Sequence, residues 1–247
     1  MTEKLKVLDL FSGFGMFSLG LYRAGGFETV AFCEISDFPR KVLNARYPGV
    51  KIYENVCTLT PERLAADGIA PNVICGGFPC QDLSVAGKGA GLDGKRSGLY
   101  REVIRLARDL RPRFVILENV AALLDRGLGV VLGDLAEIGY DAEWHCIPAS
   151  YVGAWHRRDR VWLVAYPNSF SRQQRLTSQP IFRQSDLHEQ LTRSFERWPG
   201  RPNLPTPKLC GRHDGVANVV ERLHGLGNGL YPGIAERLGR AIMRVAA

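Results

Sequence analysis

The opening run "KVLDLFSGFGMFSLGL", residues 6–21, constrains this chain most. An apolar strand-like stretch runs into Phe11-Ser12-Gly13-Phe14-Gly15 and then into helix-forming periodicity. A strand, a glycine turn and a helix in that order form the first half of a βαβ unit, which commits the chain to an α/β architecture. The pattern repeats. "ETVAFCEI", "PNVICGG", "PRFVILENV", "AEWHCIPAS" and "DRVWLVAYP" read as strands. "FSLGLYRAG", "SDFPRKVLNARY" with a Ser N-cap, and "SGLYREVIRLARDL" read as helices. This alternation predicts a doubly wound parallel sheet with helices on both faces, in a single α/β domain.

The character changes after Tyr166. "PNSFSRQQRLTSQPIFRQSDLHEQ" and "RWPGRPNLPTPKLCGRHDG" are polar and proline-rich, with no sustained period. Helical character returns in "VANVVERLHGLGNGLYPGIAERLGRAIMRV". The division expected is one domain made of residues 1–166 and 214–247, with 167–213 as a small, loop-rich insertion. The insertion carries eight Arg/Lys and three Asp/Glu, so +5 of the net +7 lies within it. Such local positive charge fits either a solvated basic loop or a surface for a polyanion.

Several classes are set aside. No apolar run reaches the roughly 18 residues of a membrane span, so no membrane partner is expected. Asp9 interrupts the apolar N-terminal stretch, so a secretory signal is not expected and a cytoplasmic location is. The six cysteines form no C-x-x-C pair, and His145-Cys146 is the only adjacent His/Cys set. Neither a disulfide framework nor a metal site is expected.

Two ends of the sheet carry candidate chemistry. Glycines at the first strand-to-helix turn let a ligand approach the backbone, and Glu34 follows about 20 residues later, where a carboxylate accepts from ribose hydroxyls in nucleotide-binding folds. Ser18 replaces the third glycine of G-x-G-x-x-G, which argues against a pyrophosphate seat and a dehydrogenase. A nucleoside ligand without phosphates, such as S-adenosylmethionine, fits better. At the other end, "VICGG" leads into Phe78-Pro79-Cys80-Gln81, and "FVILENV" delivers Glu118-Asn119-Val120. His156-Arg157-Arg158-Asp159-Arg160 precedes the last strand. Taken alone, Cys80 is a buried small hydrophobe, a metal ligand or a nucleophile, and Glu118 and the arginines are ordinary charges at strand ends.

In this order and together, these elements with "RLHGLGNGLYP" resemble the DNA cytosine-5 methyltransferase family, over Val7 to Ala165 and again from Gly215 onward. The resemblance implies a Rossmann-like methyltransferase fold and S-adenosyl-L-methionine as methyl donor, without a metal. It implies Cys80 as nucleophile on carbon 6 of cytosine, Glu118 at ring nitrogen 3, and Arg158 and Arg160 near the base oxygen, with Asn119 fixing the loop. It implies a cofactor site of Phe11, Ser12, Gly13, Gly15, Glu34, Ile35, Asn55, Pro79 and Asn228. It also implies double-stranded DNA as partner, a flipped-out target base and a monomer, and leaves room for a cognate restriction endonuclease in the same system.

By the same resemblance, "SVAGKGAGLDGKRSG" would close over DNA, with Lys88, Lys95 and Arg96 reaching phosphates. The basic insertion would be the target-recognition region. Arg172, Gln173, Gln174, Arg175, Arg183 and Gln184 have chemistry suited to reading bases. The chain departs from the family pattern at Met16, at Asn55 where an Asp is common, and at Trp155-His156. Two other readings stay open: an RNA-directed enzyme of the same fold, and a DNA-binding module with a decayed site.

Overall fold

The computed structural model describes residues 3–79, 97–154, 157–170, 181 and 229–246. Seven strands form one sheet in the order β3-β2-β1-β4-β5-β7-β6. They are β1 (Leu5–Leu10), β2 (Phe27–Cys33), β3 (Lys51–Tyr53), β4 (Val73–Gly77), β5 (Phe114–Val120), β6 (Tyr140–Pro148) and β7 (Asp159–Pro167). The chain starts in the middle at β1, winds outward through β2 and β3, then returns to β4 and winds the other way. The reversal between β1 and β4 leaves a crevice at the carboxyl ends of these strands, which is where ligands bind in such sheets.

Helices cover both faces. On one side α1 (Met16–Ala24) and α7 (Pro232–Ala246) pack through Phe17, Leu21, Ile234, Leu238 and Ile242. On the other side lie α3 (Pro61–Ala66), α4 (Tyr100–Leu110), α5 (Leu123–Arg126) and α6 (Leu128–Glu137), which contribute Leu64, Val103, Leu106, Leu123 and Val131. β4 and β5 are buried on both faces, which explains their near-continuous apolar sequence. α2 (Asp37–Arg46) follows Ser36 as expected, but the Ser36 hydroxyl makes no cap bond. No helix among the described residues is long and apolar enough to cross a membrane.

One expectation needs correction. The sheet is mixed, because β7 pairs antiparallel with both β5 and β6. Ten residues separate β6 from β7, and a parallel crossover needs about a dozen or more, so the pair closes as a hairpin. The Ala149 amide donates to the Arg157 carbonyl at 2.6 Å across its mouth. β3, whose three residues are too few to display a strand period, is not among the strands read from the sequence. The proposed boundary at 166/167 falls at the end of β7, and most of the insertion lies outside the described residues.

α7 returns the chain's end to its beginning through small residues. A methyl group at Gly20 would collide with the Pro232 carbonyl oxygen and the Ala235 side chain. One at Gly239 would sit 2.6 Å from Ala24 Cβ. Gly20→Ala is therefore expected to cost about 1–3 kcal/mol by overpacking. Urea unfolding should show a lower midpoint at an unchanged slope.

Candidate active site

The turn after β1 is built by hydrogen bonds that serve the backbone. Phe11 takes a positive φ of 53°, uncommon for a bulky residue, and Gly13 and Gly15 follow at 52° and 71°. Local strain of this kind persists only where neighbours hold it. The Ser12 hydroxyl donates to the Asp9 carbonyl at 2.6 Å and accepts from the Cys33 amide at 3.1 Å, tying the ends of β1 and β2 together. Among the described residues nothing lies within 4 Å of the space a Gly13 side chain would fill. The turn thus offers open room over its backbone.

Glu34 lies just beyond β2. Its carboxylate accepts from the Gly13 amide and the Ser36 amide, both at 2.8 Å. The Glu34 amide in turn donates to the Tyr53 carbonyl at 2.9 Å, which joins the ends of β2 and β3. Ile35 next to it is 73% exposed, a bare aliphatic side chain on the rim. Asn55 sits two residues past β3 and is also exposed. Phe11, Ser12, Gly13, Gly15, Glu34, Ile35 and Asn55 therefore share the carboxyl edge of β1, β2 and β3. A carboxylate, an open glycine turn and an apolar rim fit a nucleoside.

Asp9 explains Ser18. The buried Asp9 carboxyl accepts from the Ser18 hydroxyl at 2.6 Å and the Ser18 amide at 3.3 Å. The residue that breaks the glycine fingerprint thus anchors the first turn of α1 onto β1. Burial pushes the Asp9 pKa up to about 7, against the lowering effect of the Ser18 bonds.

The second cluster lies beyond β4, on β5 and β7. Glu118 is paired in register with Gly77 of β4, and Arg160 of β7 lies opposite Val120. Arg160 is therefore the diagonal neighbour of Glu118 on one face of the sheet. Its Nε meets Glu118 Oε1 at 3.0 Å. Burial pushes the Glu118 pKa up to about 7, and the charges of Arg160 and Arg158 pull against that rise. Arg158 adopts a positive φ of 36° just before β7. Asn119 is buried, donates to the Phe78 carbonyl at 3.1 Å and accepts from the Val120 amide at 2.8 Å. It clips the end of β5 to the segment Phe78-Pro79 that leads into Cys80.

Sequence reading missed Gly76 and Gly77. A methyl group at Gly76 would lie 2.7 Å from the Leu10 carbonyl oxygen, and one at Gly77 2.9 Å from Glu118 Oε2. The available signal was a Gly-Gly pair closing a buried strand, a mark of close backbone approach. Cys80, Asn228, Trp155 and His156 lie outside the described residues, as do most of 84–98 and the six candidate base readers of the insertion. Among the described residues no group of three or more His, Cys, Asp or Glu is placed to hold a metal ion.

A doubly wound sheet with a nucleoside-type crevice and a buried carboxylate paired with an arginine is a Rossmann-like scaffold. The sequence model of C-5 cytosine-specific DNA methylases matches residues 5–205, and the chain belongs to that family. Type II methyltransferase M2.BsuMI of Bacillus subtilis is 37% identical over 169 residues, covering 65% of this chain and 42% of the relative. Type II methyltransferase M.CviJI of Paramecium bursaria Chlorella virus IL3A is 32% identical, over 70% of this chain and 46% of its own length. This chain thus spans less than half the length of these two curated relatives. Among solved structures, one described as a DNA modification methyltransferase encoded within an E. coli prophage is 27% identical. It superposes with a TM-score of 0.58 over 68% of this chain and 48% of its own.

The raised pKa values of Asp9 and Glu118 have a consequence for stability. Each binds its proton more tightly folded than unfolded, where carboxyls titrate near 4. Their contribution is fully present below that range and is lost as pH rises through about 7. The unfolding free energy is expected to fall between pH 5 and pH 8 by more than about 1 kcal/mol. Asp9→Asn should flatten the decline in urea melts, and an unchanged slope would count against the assignment.

Proposed function

We propose that this chain transfers a methyl group from S-adenosyl-L-methionine to carbon 5 of cytosine in double-stranded DNA. The observation that carries the reading is the buried Glu118 carboxylate paired with the partly buried Arg160, at the strand end that Asn119 clips to the backbone entering Cys80. Cytosine carbon 5 is a weak nucleophile inside an aromatic ring. Addition of the Cys80 thiolate to carbon 6 forms an Sγ–C6 bond and makes carbon 5 enamine-like. Negative charge moves toward ring nitrogen 3 and the exocyclic oxygen. Glu118, half protonated near neutrality, donates to nitrogen 3, while Arg158 and Arg160 supply fixed positive charge. Bound S-adenosylmethionine would supply an electrophilic methyl group at carbon 5. The methyl donor would leave as S-adenosylhomocysteine; loss of the carbon 5 proton to water, return of the nitrogen 3 proton to Glu118 and rupture of the Sγ–C6 bond then restore the ring, the acid and the thiolate.

The proposed cofactor residues are Phe11, Ser12, Gly13, Gly15, Glu34, Ile35, Asn55, Pro79 and Asn228. Their support is the shared carboxyl edge of the described ones and the return of α7 onto α1. Residues 167–213 would form the target-recognition region, supported by their local charge of +5. The target base would be flipped out of the duplex, because carbon 6 cannot be reached by a thiolate within the stack. The reading includes a monomeric enzyme and leaves room for a companion endonuclease.

The test is transfer of labelled methyl to duplex DNA, with positions read by bisulfite sequencing. Cys80→Ser is expected to abolish transfer. Glu118→Gln should lower kcat on the order of 100-fold. Gly77→Ala, by pushing the Glu118 carboxylate aside, should cost on the order of 10–100-fold. The rate-limiting use of the Glu118 proton predicts activity falling as pH rises through about 7. Full activity in Cys80→Ser, or label on RNA and never on DNA, would overturn the reading.

A further inference from the structure

One row of residues crosses four strands at the level of Glu118. Gly77 of β4 pairs with Glu118, Glu118 with Trp162 of β7, and Trp162 with His145 of β6. Directly opposite residues in an antiparallel pair share a face of the sheet, with Cβ atoms about 5 Å apart. The Glu118 carboxyl therefore has a glycine on one side and an indole on the other. Gly77 carries no side chain to cover it. Trp162 is the largest fully buried side chain among the described residues, and it packs edge to face on Phe17 of α1 at 5.4 Å between ring centroids. Its Nε1 is buried with no hydrogen-bond partner among the described residues. An unmatched buried N–H costs stability, and a phenylalanine would avoid that cost. Hydrogen bonding thus gives no reason for an indole here, and what remains is its bulk beside an acid.

The other groups near Glu118 act on it through charge. Arg160, two residues before Trp162 on the same face, places its Nε 3.0 Å from Glu118 Oε1. Arg158 acts from just before β7, and both arginines favour the ionised form. Cys75 stands two residues before Gly77 on β4, with Asp9 opposite it on β1, and His145 stands beyond Trp162 on β6. Exclusion of water is what holds the proton on against the two arginines. We infer that Trp162 is a positioning residue for the proposed reaction: its indole closes the β7 side of the Glu118 carboxyl to water and so keeps there the proton meant for ring nitrogen 3. This rests on the acid role proposed for Glu118 above. Trp162 acts through Glu118 alone and needs no contact with base or cofactor.

The experiment is a pH titration of the Glu118 side-chain carboxyl by carbon-13 NMR in the full chain, assigned by the signal lost in Glu118→Gln. The pH profile of methyl transfer to duplex DNA is measured beside it. The wild-type carboxyl is expected to titrate at about 7. Trp162→Leu should bind that proton about tenfold more weakly, and Trp162→Phe, which keeps most of the packing, about threefold. The fall in kcat with rising pH should set in at a correspondingly lower pH. A role in packing alone would lower kcat by one factor at every pH and leave the carboxyl midpoint in place, and that result overturns the inference. So does a wild-type carboxyl that titrates near the ordinary 4.5, a measurement that needs no variant to fold. A midpoint that drops in the variants of a chain that methylates no nucleic acid refutes the proposed function while supporting the effect of Trp162 on the carboxyl.

Discussion

A methyl group at Gly76 would press on the Leu10 carbonyl, and one at Gly77 on the Glu118 carboxylate. β4 lies between β1 and β5, so its last two residues set how closely the ends of those two strands approach. The Glu118 carboxylate is buried because no side chain on β4 holds it off. That burial raises its pKa to about 7. A single packing constraint in the middle of the sheet thus reaches the proposed acid chemistry through desolvation.

A second chain of dependence begins at Asp9. Its buried carboxyl holds Ser18 and therefore the first turn of α1. The strained Phe11–Gly15 turn is fixed between that anchor and the Ser12 bonds to Cys33. α7 packs across α1 through Gly20 and Gly239, so the last helix of the chain supports the turn formed by its first fifteen residues. Both buried carboxyls weaken the fold as they ionise. The site places acids where stability alone would not.

Most strands and helices were legible because their apolar periods are long and their boundaries carry glycine or proline. β3 was not, since three residues cannot display a period. Ser18 was read as the loss of a phosphate-binding glycine, which was sound as exclusion. Its positive role depended on Asp9, nine residues away and across a turn. Glu34 was legible from its spacing, while its two amide partners, Gly13 and Ser36, depend on how β1 and β2 end side by side.

By itself the sequence determined the α/β class, the two clusters of chemistry and the family they resemble, because strand periodicity and short motifs are local properties. The tertiary structure decided how those clusters meet. Arg160 begins β7 and Glu118 lies near the end of β5. In the parallel sheet that the alternation predicts, those two positions would lie at opposite edges. The antiparallel hairpin of β6 and β7 reverses the direction of β7 and brings Arg160 within 3.0 Å of Glu118. Strand direction depends on the length of the connection and on which neighbour accepts the ladder, and no period in the sequence of β7 records either.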